Sequence, residues 1–335
     1  MCKVFLLFPL IFILVCCHRN PLKVDVSGID ITLKLKRLDQ DMFKVSPENL
    51  PVMIPELSKK YGTFFNAYSE NVIALGNPAD PMYANYLNSF LKDSIRVASR
   101  QKIDTVFKDM SGIEKKLEEG FRHFRYYFPE KKIPQVVTII SGFNQSVVMT
   151  SDAIGISLDN YLGVNCSFYK RLGLPAFKRE NMHSEKIPTD VLYSWGISEF
   201  EFDDSTNNLL AQMIYQGKMI WFLDAMFPEE PDYLKIGYSQ EKIEWCKKNE
   251  SGMWTYLVEH KLLFTSDRMN IIRFINPAPF TSIFTAESPG RAGIWIGWQI
   301  VRSYMKKHPS ISLPELMAEQ DYQKILNESG YSPEE

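Results

Sequence analysis

One stretch near the C-terminus constrains the fold of this chain more than any other. It runs from Ser288 to Met305 and reads SPGRAGIWIGWQIVRSYM. Apolar side chains recur in it at helical spacing and form one face, namely Ile294, Trp298, Val301 and Met305. Ser288 suits the N-cap of a helix and Pro289 its first turn, so the pattern predicts a helix that begins there.

Besides its apolar face, this predicted helix contains glycines and a stripe of arginine and tryptophan side chains. Gly290 and Gly297 lie beside the apolar face, and a glycine inside a helix costs about 0.5–1 kcal/mol relative to alanine. Their presence predicts that another backbone packs closely against the helix. Arg291, Trp295 and Arg302 form a neighbouring stripe. Two interpretations stay open: the partly exposed rim of a buried helix, or a helix that lines a site.

Composition favours a globular protein and argues against nucleic acid as a partner. The chain has 335 residues, of which 45% are hydrophobic and 13% aromatic, enough for a substantial core. Its formal net charge is −2, and no block of lysine and arginine stands out. A phosphate-binding surface normally needs such a basic patch.

The N-terminus is typical of a targeting signal. Val4 to Val15 is an apolar run of the length found in signal peptides and is short for a membrane span. It ends in Leu14-Val15-Cys16-Cys17, which resembles a bacterial lipobox with Cys17 as the lipid acceptor. The alternative is an ordinary secretory signal with two incidental cysteines. We expect a lipoprotein signal peptide at 1–16, a tether at 17–28 and a single globular domain at 29–335.

The residues after Cys17 also indicate where in the cell envelope the protein is located. Lipidation of Cys17 would hold the body at a membrane of the cell envelope. Basic residues follow the cysteine, at His18, Arg19 and Lys23, rather than the acidic residues found in some surface-displayed lipoproteins. We therefore expect the protein to face the periplasm.

Periodicity predicts an α+β fold in which helices dominate. Helical patterns cover most of the chain, and Ile29 to Leu35 alternates like a strand. Period-2 alternation then concentrates in three short stretches, which predict a small antiparallel sheet: 136–140, 147–150 and 154–158. Helices are predicted at 189–200 and 205–227, at 239–249 and 252–263, and at 313–327.

No catalytic motif is recognisable. None of the five histidines pairs with another at metal-binding spacing, and the chain has no nucleophile elbow or phosphate loop. Glu199 and Glu201 lie two apart, so on a helix they would not converge as an acid/base pair. Gln212 and Gln216 lie in a strongly apolar helix and could line a cavity or a solvated face. Cys166 and Cys246 could form a disulfide or stay as buried thiols.

Several segments together resemble the gliding-motility-associated lipoprotein B family of Bacteroidota. They include YYFP at 126–129, GISLDNYLG at 155–163, QGKMIWFLD at 216–224 and SPGR at 288–291, along with the lipobox at Cys17. The resemblance implies a cell-envelope lipoprotein linked to gliding motility and to the type IX secretion apparatus. It implies protein partners and a lipid anchor, and it carries over no catalytic residue or cofactor.

The order of elements is also similar to predicted zinc proteases of the gluzincin type. The helix that would carry their metal ligands corresponds to Asp190–Glu201, which contains no histidine, and Gln216 stands where a glutamate is expected. A degenerate metallopeptidase-like scaffold without metal is therefore one expectation. The residues expected to surround its cleft are Trp195, Glu199, Gln212, Gln216, Arg291, Trp295 and Trp298. We favour a non-catalytic lipoprotein, and the alternative is an envelope hydrolase with an unrecognised site.

Overall fold

A computed structural model of the protein describes residues 20–44 and 46–334. The predicted signal peptide and the predicted lipidation site Cys17 lie outside these residues. The strands are β1 (Lys36–Arg37), β2 (Gln135–Ile139), β3 (Val147–Met149) and β4 (Ala153–Ser157). The first helices are α1 (Leu38–Phe43), α2 (Leu50–Tyr61), α3 (Thr63–Ala67), α4 (Tyr83–Lys92), α5 (Ser94–Val106), α6 (Ser111–Tyr127), α7 (Ser167–Arg171) and α8 (Ala176–Arg179). The later helices are α9 (Ile187–Glu199), α10 (Leu209–Met226), α11 (Asp232–Ile236), α12 (Gln240–Glu259), α13 (Arg268–Ile275), α14 (Ala292–Lys307), α15 (Leu313–Ala318) and α16 (Tyr322–Ser329).

The predicted fold class, α+β with helices dominant, is confirmed, but the pairing within the sheet differs from the prediction. The strand order is β1-β2-β4-β3; β2 pairs in parallel with both β1 and β4, and only β3 and β4 are antiparallel. The sheet is therefore mixed. All five residues of β4 are buried, as expected of a central strand that is covered on both faces.

Each face of the sheet contacts its own hydrophobic core. Val136, Ile154 and Ile156 point into a large core formed mainly by the helices from α6 onward. Val137 and Ile139 point the other way, into a smaller core formed by α1 to α4. Alternate side chains of a strand lie on opposite faces, which is why neighbouring residues enter different cores.

The segment before β1 is extended but joins the sheet only at its end. Ile29 to Leu35 has the alternating burial of a strand, yet the ladder begins at Lys36. Its neighbour is a helix instead: the backbone N–H groups of Leu33 and Leu35 donate to Glu118 and Glu114 of α6. The period-2 pattern thus predicted the extended backbone correctly, but most of this segment pairs with helix α6 rather than with a strand.

Helix boundaries differ from the predictions in three places. The predicted start of α14 at Ser288 and Pro289 is wrong, because the helix begins at Ala292 and Ser288 is buried against Thr281. The helices predicted at 239–249 and 252–263 form one helix, α12, since Gly252 is tolerated within it. The predicted helix at 313–327 is divided into α15 and α16.

Candidate functional site

Two buried helices, α10 and α14, cross at a pair of glycines. A Cβ atom added at Gly217 would lie 2.3 Å from the carbonyl carbon of Gly297, and one at Gly297 would lie 1.8 Å from the oxygen of Met213. Real Cβ atoms do not approach so closely, so both positions require glycine. The close backbone approach predicted at Gly297 is confirmed, and α14 is a scaffold helix over most of its length.

Buried charges join α14 to α10 and α11. Asp224 of α10 forms an ion pair with Lys235, and both side chains are almost fully buried. The indole Nε1 of Trp298 donates to Asp224 at 2.8 Å, and Arg302 lies over the Trp298 ring with its guanidinium carbon 3.6 Å from the centroid. Arg302 also pairs with Asp232 at 2.9 Å. Trp298 is therefore part of this buried ion cluster, through its contacts with Asp224 and Arg302.

The other residues of the predicted cleft are distributed among separate contacts. Trp295 donates to Glu250 at 2.9 Å, Glu199 pairs with Lys131 at 2.6 Å, and Gln212 donates to Asn207 at 3.0 Å. Trp195 is buried and its ring lies edge-on to Phe124 at 6.4 Å. Of the seven residues, Arg291 lines the cleft described below.

Gln216, which stands where the protease likeness expects a glutamate, is engaged in a direct side-chain contact. The hydroxyl of Tyr193 on α9 donates to the Gln216 side chain on α10. Three residues earlier on α9, Asp190 accepts from Tyr161 at 2.9 Å and pairs with Lys186 at 2.8 Å. Within residues 20–44 and 46–334, no group of three or more histidine, cysteine, aspartate and glutamate side chains is placed to hold a metal ion.

One cavity lies where loops from the sheet meet the N-terminal end of α14. Its volume is about 400 Å³. Its walls come from the β2–β3 loop, the turn after β4, the segment around α8, the turn between α11 and α12 with the start of α12, the loop after α13, and the approach to α14. The lining includes Phe143, Asn144, Asn160, Phe177, Lys178, Glu180, Asn181, Tyr238, Lys242, Gly290 and Arg291. We call it the loop cleft.

One rim of the loop cleft is held by a buried carboxylate. Asp159 accepts the backbone N–H of Ser141 at 3.2 Å and that of Phe143 at 2.7 Å. Burial raises the pKa of Asp159 to about 6, although these hydrogen bonds oppose the shift. Phe143 has a φ of 66°, which is uncommon outside glycine, and the Asp159 contact fixes this conformation.

The opposite rim is the short segment before α14. Arg291 has a φ of 63°, and its guanidinium donates to the Ile236 carbonyl at 2.8 Å. Tyr238 donates to the carbonyl oxygens of Gly290 and Arg291, both at 3.0 Å. A Cβ at Gly290 would lie 2.1 Å from the Ala278 oxygen, so this rim also depends on a glycine. The rim is therefore preorganised.

The loop cleft carries more positive than negative charge. Lys178, Lys242 and Arg291 line it, and Glu180 is the one carboxylate among the described residues of its walls. Lys242 pairs with Glu180 at 2.8 Å. Burial raises the pKa of Tyr193, and the charge of Arg291 opposes that shift.

Sequence reasoning missed most of this cleft. Lys178 lies on α8 and Lys242 on α12, in segments without a motif, and Asp159 carries no signal of burial beyond the apolar run before it. No helix was predicted between 170 and 188, yet these residues include part of α7, all of α8 and the start of α9. Cys166 and Cys246 are separate buried thiols and form no disulfide with each other.

The fold and the cleft define a class: a helical α+β protein with a small mixed sheet and an open, positively charged cleft. A family model described as gliding motility protein GldB matches residues 19–333. The chain therefore belongs to the family of gliding motility protein GldB, as its resemblance predicted. Membership implies a role in gliding motility, and the family's lipoprotein designation suggests a membrane-anchored envelope protein.

Other comparisons add no relative. No curated protein and no solved structure matches the chain. Among the residues that the structure describes, none of the helices has the length and apolar character needed to cross a membrane.

Proposed function

We propose that this protein supports gliding motility as a non-catalytic lipoprotein of the cell envelope. In this proposal Cys17 carries the lipid anchor, the body faces the periplasm, and the protein acts through contacts with components of the motility and type IX secretion machinery. Family membership supplies the motility role. The mode of action is argued from the described residues.

The loop cleft carries the argument for protein contact. Its rims are fixed by Asp159 on one side and by Tyr238 on the other, so a ligand would meet a preformed surface. Phe143 and Phe177 line the cleft together with Lys178, Lys242 and Arg291. We propose that the cleft binds a partner segment that presents carboxylates beside apolar side chains.

The polar groups that could otherwise support catalysis have partners. Glu199 is paired with Lys131, and Gln216 accepts from Tyr193. Asp190 is shared between Lys186 and Tyr161. A general base must lie within hydrogen-bond reach of the substrate proton that it removes. These side chains instead contact one another and stabilise the packing of α9 against its neighbours. Their arrangement supports a structural role for this region.

Two measurements distinguish the contact mechanism from the envelope hydrolase. In a gliding host that lacks its own copy, we expect Glu199→Gln and Gln216→Ala to restore motility at normal protein level. The purified protein should hold no stoichiometric zinc and hydrolyse no peptide library. Zinc at one ion per chain together with peptide hydrolysis would refute the contact mechanism.

The secretion link has its own test. If the protein supports the type IX apparatus, cells that lack it should deliver fewer type IX cargo proteins to the surface, while other envelope proteins stay at normal levels. Unchanged cargo delivery in non-gliding cells would separate motility from secretion and overturn this part of the proposal.

A further inference from the structure

The segment that leads into the domain is attached to the body by a regular set of contacts on α6. Leu35 donates its N–H to Glu114 at 3.1 Å, and Leu33 donates to Glu118 at 2.9 Å. Arg122 then donates to the carbonyl oxygen of Ile31 at 3.2 Å. Each step is four residues along the helix and two along the extended segment.

The two spacings match, which fixes the position of the segment. Four helical residues rise about 6 Å, and two extended residues span about 6.6 Å. Each contact therefore leads to the next without a gap. A shift of the segment by one residue would place its carbonyl groups opposite the glutamates, so slippage is disfavoured.

Further contacts hold the start of the segment against Tyr127 of α6 and the turn that follows α10. Asn20 donates to the Pro228 carbonyl at 3.1 Å, and Lys23 forms an ion pair with Glu229. The Tyr127 hydroxyl lies 3.5 Å from the Leu22 carbonyl oxygen, and Leu22 packs against the large core. Residues 20–23, which were predicted as part of a tether, thus lie against the body.

These contacts limit the distance between the body and its anchor. Cys17 precedes Asn20 by three residues, which can span at most about 11 Å. We propose that the surface around Asn20 lies against the phospholipid headgroups of the anchoring membrane. We call this surface the anchor face and define it by Asn20, Leu22, Lys23, Tyr126, Pro228 and Glu229. The proposal rests on the proposed lipidation of Cys17.

The chemistry of the anchor face suits headgroups rather than the hydrocarbon interior. Tyr126 is 48% exposed, and its ring lies edge-on to Tyr127 at 5.0 Å. Tyrosine is enriched at membrane–water interfaces because its ring is apolar and its hydroxyl is polar. Lys23 and Glu229 present both signs of charge to solvent. A zwitterionic headgroup layer can pair with both.

The same geometry places other parts of the molecule away from the membrane. The small core with α2 and α4 lies on the far face of the sheet that β1 joins after Leu35. We therefore expect Val52 of α2, which is 65% exposed, to lie far from the headgroups.

The test uses the full acylated protein in vesicles of phosphatidylethanolamine and phosphatidylglycerol. Single reporter cysteines are introduced by Glu229→Cys or Val52→Cys, labelled with a fluorophore and quenched by a spin label on the lipid headgroup. Cys166 and Cys246 are buried and do not compete for label. We expect several-fold stronger quenching at position 229 than at position 52.

A matched pair of tyrosine variants tests the aromatic contact. Tyr126→Glu should weaken quenching at position 229, whereas Tyr86→Glu should not, although Tyr86 on α4 is equally exposed at 48%. Equal quenching at positions 229 and 52 in an acylated chain overturns the orientation alone. A chain that mass spectrometry shows to lack acyl groups overturns both the proposed anchor and this orientation.

Discussion

The two ends of the stretch from Ser288 to Met305 are built in contrasting ways. From Ala292 onward it forms α14, which contacts the backbone of α10 at Gly297 and shares buried charges through Trp298. Before Ala292 it forms an irregular rim, where Arg291 adopts a left-handed conformation beside an open cleft. One continuous sequence signature therefore contains a closed crossing and an open surface.

The contrast separates residues that hold the fold from residues that are available to a partner. At the crossing, polar groups are satisfied by other buried groups, so substitutions should change stability first. At the loop cleft, Lys178 is exposed and the partly exposed Lys242 pairs with Glu180, so substitutions should change binding while costing less stability than at the crossing. The following predictions test this division, beginning with the largest expected change.

Removing Asp224 should cause the largest loss of stability. Asp224→Ala leaves the buried Lys235 with only its longer contact to Asp232 at 3.5 Å, and breaking a buried ion pair in this way costs about 3–5 kcal/mol. The free energy of unfolding from urea titration measures this loss. Asp232→Ala is the matched control, because Asp232 is partly exposed and its loss should cost about 1 kcal/mol. Equal losses in the two variants would contradict the importance of burial at the crossing.

Enlarging the crossing glycine should have the next largest effect. In Gly297→Ala the new methyl group meets the Met213 carbonyl, and overpacking of this kind costs about 3 kcal/mol. Gly252→Ala on α12 is the control, because no atom lies within 4 Å of its added Cβ. There alanine should stabilise the protein by about 0.5–1 kcal/mol. A tolerated Gly297→Ala would show that the helices can separate without cost.

The carboxylate under the cleft rim should give a smaller effect that depends on pH. The folded pKa of Asp159 is raised from 3.8 to about 6, so the folded state binds the proton more tightly than the unfolded state. Stability should therefore fall as pH rises from about 4 to about 6, by about 2–3 kcal/mol in total. Asp159→Asn should remove this dependence.

An exposed aspartate provides the control for the pH titration. Backbone and side-chain hydrogen bonds from Ser27 lower the pKa of Asp25, so its contribution is lost as pH falls, opposite in sign to that of Asp159. Asp25→Asn should leave the dependence between pH 4 and 6 in place. The account of the rim would be wrong if Asp159→Asn and the wild type showed the same pH profile.

The sequence predicted best those features that depend on a single helix or strand. The apolar spacing in α14 and the need for glycine at 297 follow from a single helix and its packing, and both were predictable. Ile154 and Ile156 likewise indicated a strand. The pairing of that strand was not predictable, because strands of three to five residues contain too little pattern to choose between neighbours.

The loop cleft was less predictable because distant segments form it. Arg291 was singled out as part of a helix, whereas its left-handed conformation depends on Tyr238 and Ile236 from another part of the chain. Gln216 was expected near a cavity, but its partner Tyr193 belongs to a different helix. Side-chain partners across elements depend on tertiary structure, which periodicity does not specify.

The most direct test of the central claim is gliding by a variant with reversed charge in the loop cleft. Lys178→Glu combined with Lys242→Glu turns the lining acidic, and Lys248→Glu on an exposed position of α12 controls for surface charge. Each variant replaces the wild-type copy in a gliding host, and cell speed is measured at matched protein level. We predict that the cleft variant stops gliding while the control glides normally. Normal gliding by the folded cleft variant would contradict the claim that this cleft binds the partner.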